Sequence, residues 1–338
     1  MEIKKISDYQ PIVNWLLTMI FLVILMIIVG GITRLTDSGL SITEWEIIKG
    51  ILPPLSKESW IFYFDLYKKI PQFEQINPTM TLSEFKIIFY WEYFHRLLGR
   101  IIGLMYLIPL IYFSFTKVLS KKLSFTLYFI FLLILIQGGI GWYMVESGLT
   151  QNTSVSHYRL SLHLFFAILI LSFLIWNYLN LKNNVHKNFF NFKNKLAKIL
   201  FLLVLIQIII GAFVSGLDAG LIYQTWPKMN NSYFPDDISI FQLNLINIFN
   251  IQSFVQFLHR SLAYAILIFA LVIGLKLFIQ KEKRFLKNYF IVFFVLLAQV
   301  LLGIFTLISG LNLYLASLHQ ITSLILVFSV LNLNHKLT

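Results

Sequence analysis

The chain alternates long apolar runs with polar breaks. Eight runs, at approximately 12–32, 94–116, 123–145, 158–180, 197–217, 254–278, 287–308 and 312–334, are each about twenty residues long. An α-helix of about twenty residues, rising 1.5 Å per residue, crosses a bilayer core of roughly 30 Å. The pattern predicts an all-α integral membrane protein with eight transmembrane helices. The first run is longer than the roughly 7–15-residue core of a secretory signal and lacks a small-residue cleavage pattern, so it is expected to stay as the first span. The longest break is the outer loop 33–93, much longer than its counterpart at 218–253.

With 58% hydrophobic and only 12% charged residues, the composition excludes an ordinary soluble domain. The net charge of +12 would suit a nucleic-acid partner, but its placement argues for a lipid bilayer and against nucleic acid. Lys4 and Lys5 precede span 1, and Lys117, Lys121 and Lys122 lie between spans 2 and 3. Lys182, Lys187, Lys193, Lys195 and Lys198 lie between spans 4 and 5; Lys281, Lys283, Arg284 and Lys287 lie between spans 6 and 7; Lys336 follows span 8. The alternate short loops are nearly free of Lys and Arg. This positive-inside pattern places both termini in the cytoplasm. Cysteine is absent, which excludes disulfides, thiolate metal sites and covalent C-x-x-C-H haem attachment. Any metal must be held by His, Asp, Glu or Met.

Internal repeats organise the spans. LIQGGIGWYMVESGL (135–149) matches LAQVLLGIFTLISGL (297–311), YFHR (93–96) matches FLHR (257–260), and RLSLHLF (159–165) matches LASLHQI (315–321) through Ser-Leu-His. Gly30, Asp37, Gly39, Leu40 and Trp45 share their spacing with Gly211, Asp218, Gly220, Leu221 and Trp226. Spans 1–4 and 5–8 therefore read as two copies of one unit. Each copy has an even number of spans, so the copies point the same way, as a parallel repeat. The expected architecture is two tandem parallel four-helix bundles, an N-terminal repeat over 1–184 and a C-terminal repeat over 185–338. Sites should come in pairs.

Four of the seven histidines, His95, His163, His259 and His319, fall in spans 2, 4, 6 and 8, each near the outer end. His157 is placed in the short outer loop before span 4, and His186 and His335 in a cytoplasmic loop or tail. Ionisable residues inside a membrane are functional candidates by default, and four related by a repeat are poorly explained by packing. Imidazole suits Zn, Cu, Ni and Fe and serves as an axial haem ligand. Zinc usually takes three or four protein ligands. Two histidines on separate helices per copy match a haem better. Its propionates need cations: Arg96 and Arg260 follow His95 and His259, with Arg34, Arg100, Arg159 and Lys228 as further candidates. Snorkelling to the interface accounts equally well for Arg34 and Arg159, whereas Arg100 lies more than a turn deeper than His95 and calls for a partner.

The copies differ at one position. Glu92 precedes His95 by three residues, on the same helical face, while Gln256 occupies that place before His259. A carboxylate can move protons or stabilise a developing cation, and an amide cannot exchange protons. This suggests a reactive first site and a holding or electron-passing second one. An interfacial carboxylate at a helix start, favoured by the dipole, is the competing reading of Glu92.

These features together resemble the haem A synthases: eight spans in two repeats, a histidine on each even span, E-x-x-H-R at Glu92, His95 and Arg96, R-L-x-x-x-G-L-S-I-T-E-W from Arg34 to Trp45, Y-Q-T-W-P-K-M at 223–229 and L-H-R at 258–260. The resemblance covers nearly the whole chain. Without cysteines in the first outer loop, the chain is similar to the branch found in mitochondria and alphaproteobacteria; any role of the cysteine pair of other members is vacant or replaced here. The resemblance implies an oxidoreductase converting haem O to haem A, by oxidation of the C8 methyl through an alcohol and a hydrated aldehyde to a formyl group. It implies haem B as cofactor on His259 and His319, and haem O as substrate near His95 and His163, with Glu92 essential. It further implies a bacterial inner-membrane location with the haem sites toward the periplasm. The partners it implies are haem O synthase, a ferredoxin-type electron donor and cytochrome oxidase assembly factors; a homo-oligomer is compatible with it.

Two other readings compete. A two-haem bis-histidine electron carrier of the cytochrome b type has little need for the difference between Glu92 and Gln256. A transporter would place polar groups near the bilayer centre, whereas here they cluster at one end.

Overall fold

The structure, a computed structural model, describes residues 6–46, 48–149, 152–190, 194–239 and 247–338. Lys4, Lys5 and Lys193, which contribute to the expected orientation, lie outside the described residues. Among the described residues ten α-helices follow one another: α1 Ile6–Leu35, α2 Lys57–Tyr67, α3 Pro71–Gln75, α4 Leu82–Phe115, α5 Lys121–Glu146, α6 His157–Lys182, α7 Lys195–Gly216, α8 Gln252–Ile279, α9 Lys283–Ile308 and α10 Leu313–Leu337. Among the described residues there is no strand, only an isolated bridge between Met229 and Ser232. All but α2 and α3 are long and apolar enough to cross a membrane. Large apolar side chains such as Phe21, Ile108, Phe125 and Phe294 stand exposed on their flanks, which lipid tolerates and water does not.

Helix starts are written locally. Ser120, Asn194 and Asn312 cap α5, α7 and α10 by accepting from the first free backbone N–H groups. Thr81 and Glu84 form a reciprocal capping box that starts α4 at Leu82, twelve residues before the expected start of span 2. The added segment is amphipathic rather than uniformly apolar. Phe85, Phe89 and Tyr93 recur every four residues and bury one face under the outer loop, against Trp60, Phe64, Tyr67, Leu40 and Ile42. The long loop is thus a small folded cap with its own aromatic core, carrying α2 and α3.

The chain packs as two compact units, Thr18–Ile170 and Met1–Leu17 together with Leu171–Thr338. Within the first, the cap is tied to the end of α1, where the Gln72 side chain donates to the Asp37 carbonyl at 3.0 Å. Asp37 itself turns the chain with a left-handed φ of 50°. Within the second, Asp218 does the same after α7 with a φ of 51°, so the related loops leave their helices alike.

Two histidines sit differently from expectation. His157 is the first residue of α6 rather than part of the preceding loop. His335 is inside α10 and 3% exposed, not in a loose tail. Its ring meets Asn180 at 3.0 Å and packs edge-on against Trp176. Trp176 and Asn180 both donate to the Lys187 carbonyl, and the Lys187 ammonium donates to the His335 carbonyl. This clasp satisfies polar groups at the buried ends of α6 and α10, so His335 is a structural residue.

Candidate functional site

Each of the four intramembrane histidines rests on a glycine of the preceding long helix. A Cβ built on Gly30 of α1 would lie 2.8 Å from His95 Cε1; on Gly141 of α5, 3.1 Å from His163; on Gly211 of α7, 3.1 Å from His259; and on Gly303 of α9, 2.9 Å from His319. The glycines make room for the imidazoles: an added Cβ would force a shift at His95 and His319 and crowd His163 and His259. Gly303→Ala is therefore expected to displace the His319 ring and cost about 1–3 kcal/mol by overpacking. A lower unfolding temperature of the detergent-solubilised protein would show it. Gly138→Ala, where an added Cβ meets nothing within 4 Å, should leave that temperature unchanged.

A second partner recurs four residues before three of these glycines. The Gln137 amide donates to the His163 carbonyl at 3.0 Å and lies 3.2 Å from both ring nitrogens. Gln207 donates to the His259 carbonyl at 2.9 Å, with the ring nitrogens at 3.2 and 3.4 Å. Gln299 approaches His319 Nε2 at 3.3 Å, while His319 Nδ1 meets the Gln299 backbone carbonyl at 3.1 Å. The spacing Q-x-x-x-G is visible in the sequence at 137–141, 207–211 and 299–303. Read only as a marker of the larger repeat, it hides a motif that sets three of the four histidines against both a glycine and a glutamine.

The histidines associate in pairs. The rings of His95 and His163 have centroids 6.5 Å apart. His259 lies within electrostatic reach of His319. Two imidazoles binding one metal from opposite sides, each at about 2 Å, would put their ring centres roughly 6 Å apart, so the first pair fits an axial arrangement. Among the described residues, no three His, Cys, Asp or Glu side chains converge into a metal cluster. The donor set is thus two imidazoles per pair, which suits an iron porphyrin.

Glu92 is not at a helix start. It lies well inside α4, 3% exposed, and its carboxylate is fully engaged. Oε2 accepts from the Ser41 hydroxyl at 2.8 Å and the Ile42 N–H at 2.9 Å; Oε1 accepts from Arg96 Nε at 3.0 Å and Nη2 at 2.6 Å. Arg96 also donates to the carbonyls of Ile42 at 2.8 Å and Glu44 at 3.1 Å. None of the described hydrogen bonds of Glu92 is to His95. Ser41 gave no sequence signal of this role, because only the folded loop brings it to α4.

The second copy keeps this scaffold without the charge. Arg260 donates to the carbonyls of Tyr223 at 2.7 Å and Thr225 at 2.9 Å, the repeat counterparts of Ile42 and Glu44. Gln256 donates to the Tyr223 carbonyl at 2.9 Å. Outside the membrane segments, Tyr223 donates to Asp237 at 2.8 Å and to Asp236; burial first, then those carboxylates, raise its phenol above the ordinary range. The other candidate cations are placed as follows. Arg100 donates to the Glu46 carbonyl at 2.8 Å, Arg34 pairs with Asp37 at 2.8 Å, Arg159 donates to the Tyr143 carbonyl over that ring, and Lys228 stands 5.9 Å from the centre of Tyr233.

Fold and geometry define a polytopic helical membrane protein with two pairs of half-buried histidines, each seated on a glycine of the preceding long helix. The model of the cytochrome oxidase assembly protein family matches residues 13–331, and the chain belongs to that family, among its haem A synthases. It is 48% identical over 327 residues to the haem A synthase of Pelagibacter ubique, covering 95% of each chain. It is 40% identical over 345 residues to that of Nitrosospira multiformis, covering 99% of this chain and 95% of the relative. With that of Parvibaculum lavamentivorans the identity is 44% over 265 residues, covering 78% and 77%.

Proposed function

We propose that this chain is a haem A synthase, a multi-pass bacterial membrane oxidoreductase that takes haem O to haem A for oxidase assembly. The single observation that carries the residue-level reading is the pairing of His95 with His163, whose ring centroids lie 6.5 Å apart, a spacing at which both imidazoles would hold one iron. The substrate haem O is held between His95 and His163. The resident haem B is held by His259 and His319, and when bound supplies one-electron chemistry. The two halves act as tandem four-helix repeats, 1–184 and 185–338.

Each remaining residue has a task in this reading. Gly30, Gly141, Gly211 and Gly303 seat the imidazoles. Arg96 and Arg260 hold residues 42–44 and 223–225 over the sites, with N–H groups left for a propionate; Arg100 and Lys228 are further propionate partners. Glu92, a buried carboxylate paired with Arg96, stabilises positive charge developing on the substrate side; Gln256 leaves the second site without that charge. Apolar side chains around the pairs exclude water. Both termini lie in the cytoplasm and the sites open toward the periplasm, in accord with the distribution of Lys and Arg. Haem O synthase would supply the substrate, a ferredoxin-type protein the electrons, and oxidase assembly factors would take the product.

The test is haem A production. Expressed in cells that make haem O but no haem A, the chain should yield a porphyrin bearing a formyl group. Cells that accumulate haem O alone would reject the assignment.

A further inference from the structure

The hairpin motif is broken at one place. Three of the four histidines meet a glutamine one turn before the seating glycine; the fourth hairpin has Met26 four residues before Gly30. The consequences are visible around His95. Its buried Nδ1 has no hydrogen-bond partner among the described residues. Met26 turns its methyl toward Gly99, one turn beyond His95, where an added Cβ would lie 3.4 Å away. The same place after the other histidines holds Ala167, Ala263 and Ser323, so a small residue follows each ligand, but only the first hairpin fills the space with a thioether.

The chemistry of the two side chains differs where it matters. A histidine that binds iron through Nε2 carries its proton on Nδ1 and needs an acceptor there; such outer partners orient the ring and raise its basicity. For His319 that acceptor is the Gln299 backbone carbonyl at 3.1 Å. Gln137 and Gln207 hold their histidines differently, donating to the backbone carbonyls of His163 and His259 at 3.0 and 2.9 Å with the amide set against the ring. A thioether has no N–H to give to the His95 backbone carbonyl and is at best a weak acceptor for the ring. Loss of an outer partner typically lowers metal affinity about 10–100-fold.

Resting on the haem reading above, we infer that Met26 makes His95 the loosely held ligand of the four, that Gln137 and Gln207 are positioning residues for His163 and His259, and that the backbone carbonyl of residue 299 fixes His319. The asymmetry matches what each porphyrin must do. A substrate has to arrive and its product has to leave, whereas a cofactor has to stay. The first pair joins a fixed arm, His163, to a releasing arm, His95. The second pair has two fixed arms. Residue 26 thereby sets the exchange rate of the first site.

The experiment measures porphyrin release. Full-length protein, purified in detergent and loaded with haem O, is mixed with excess apomyoglobin, and the transferred porphyrins are separated by mass, which distinguishes haem O from haem B. Haem O should leave the wild-type protein at least about 10-fold faster than haem B. Met26→Gln should slow haem O release about 10-fold or more without changing haem B, and Met26→Leu should behave as wild type. Gln207→Met should speed haem B release while leaving haem O unaffected. Equal release of the two porphyrins from wild-type protein, or unchanged rates in whichever of Met26→Gln and Gln207→Met retains its porphyrins, would overturn the inference. A protein that takes up no haem O at all would instead reject the underlying haem assignment.

Discussion

Glu92→Gln is expected to abolish haem A formation, by at least about 100-fold, while the protein folds and keeps its porphyrins. The chain supplies the precedent for folding. Gln256 occupies the equivalent position, four residues before Arg260, and donates to the same part of the related loop. An amide oxygen at 92 can still accept from Ser41 and the Ile42 N–H, as the carboxylate does at 2.8 and 2.9 Å. What goes is the charge opposite Arg96, in an ion pair whose side chains are 3% and 12% exposed. Glu92→Ala is a harsher change. It strands a largely buried guanidinium and two loop donors, and breaking a buried pair from one side costs about 3–5 kcal/mol. The alanine variant should therefore lose the cap as well as activity, seen as faster proteolysis within 37–80. Normal haem A output from Glu92→Gln, measured by mass after acid extraction, would make this residue a tie for the loop and nothing more.

The second large effect is expected at the other pair. His259→Ala or His319→Ala should each remove the low-spin spectrum of haem B, because each takes away one of the two imidazoles that would hold its iron. Gln207 and Gln299 would then face an empty place, the former losing a ring that lies 3.2 Å from its amide. His163→Ala should spare the haem B spectrum. An unchanged low-spin signal in both His259→Ala and His319→Ala would move the haem B site elsewhere.

The eight spans were legible because crossing a bilayer demands uniform apolar length, and that demand is written in composition alone. The start of α4 was not, since residues 82–93 are helical for a different reason: an aromatic face spaced by four, buried under a cap that sequence shows only as a long loop. His335 looked like a tail residue for a similar reason. Its burial depends on Asn180 and Trp176, far away in the chain. The histidine pairs were readable from the repeat, whereas the environment of Glu92 was not. Its spacing to His95 suggested a shared face, yet its partners Ser41 and Ile42 come from the folded loop, and only Arg96 is a helical neighbour. The hairpin motif was in plain view as Q-x-x-x-G, but its meaning required seeing the glycine beneath the imidazole and the carboxamide beside it.

The central claim is that one chain holds two porphyrins of different fate, a haem O that it changes and a haem B that it keeps. Extracting and weighing the porphyrins of the purified protein after incubation with haem O and a reductant in air tests this most directly. The account predicts haem B in constant amount, with haem O converted to haem A. Haem B alone, with haem O supplied and never bound, would contradict it and leave a two-haem electron carrier as the better description.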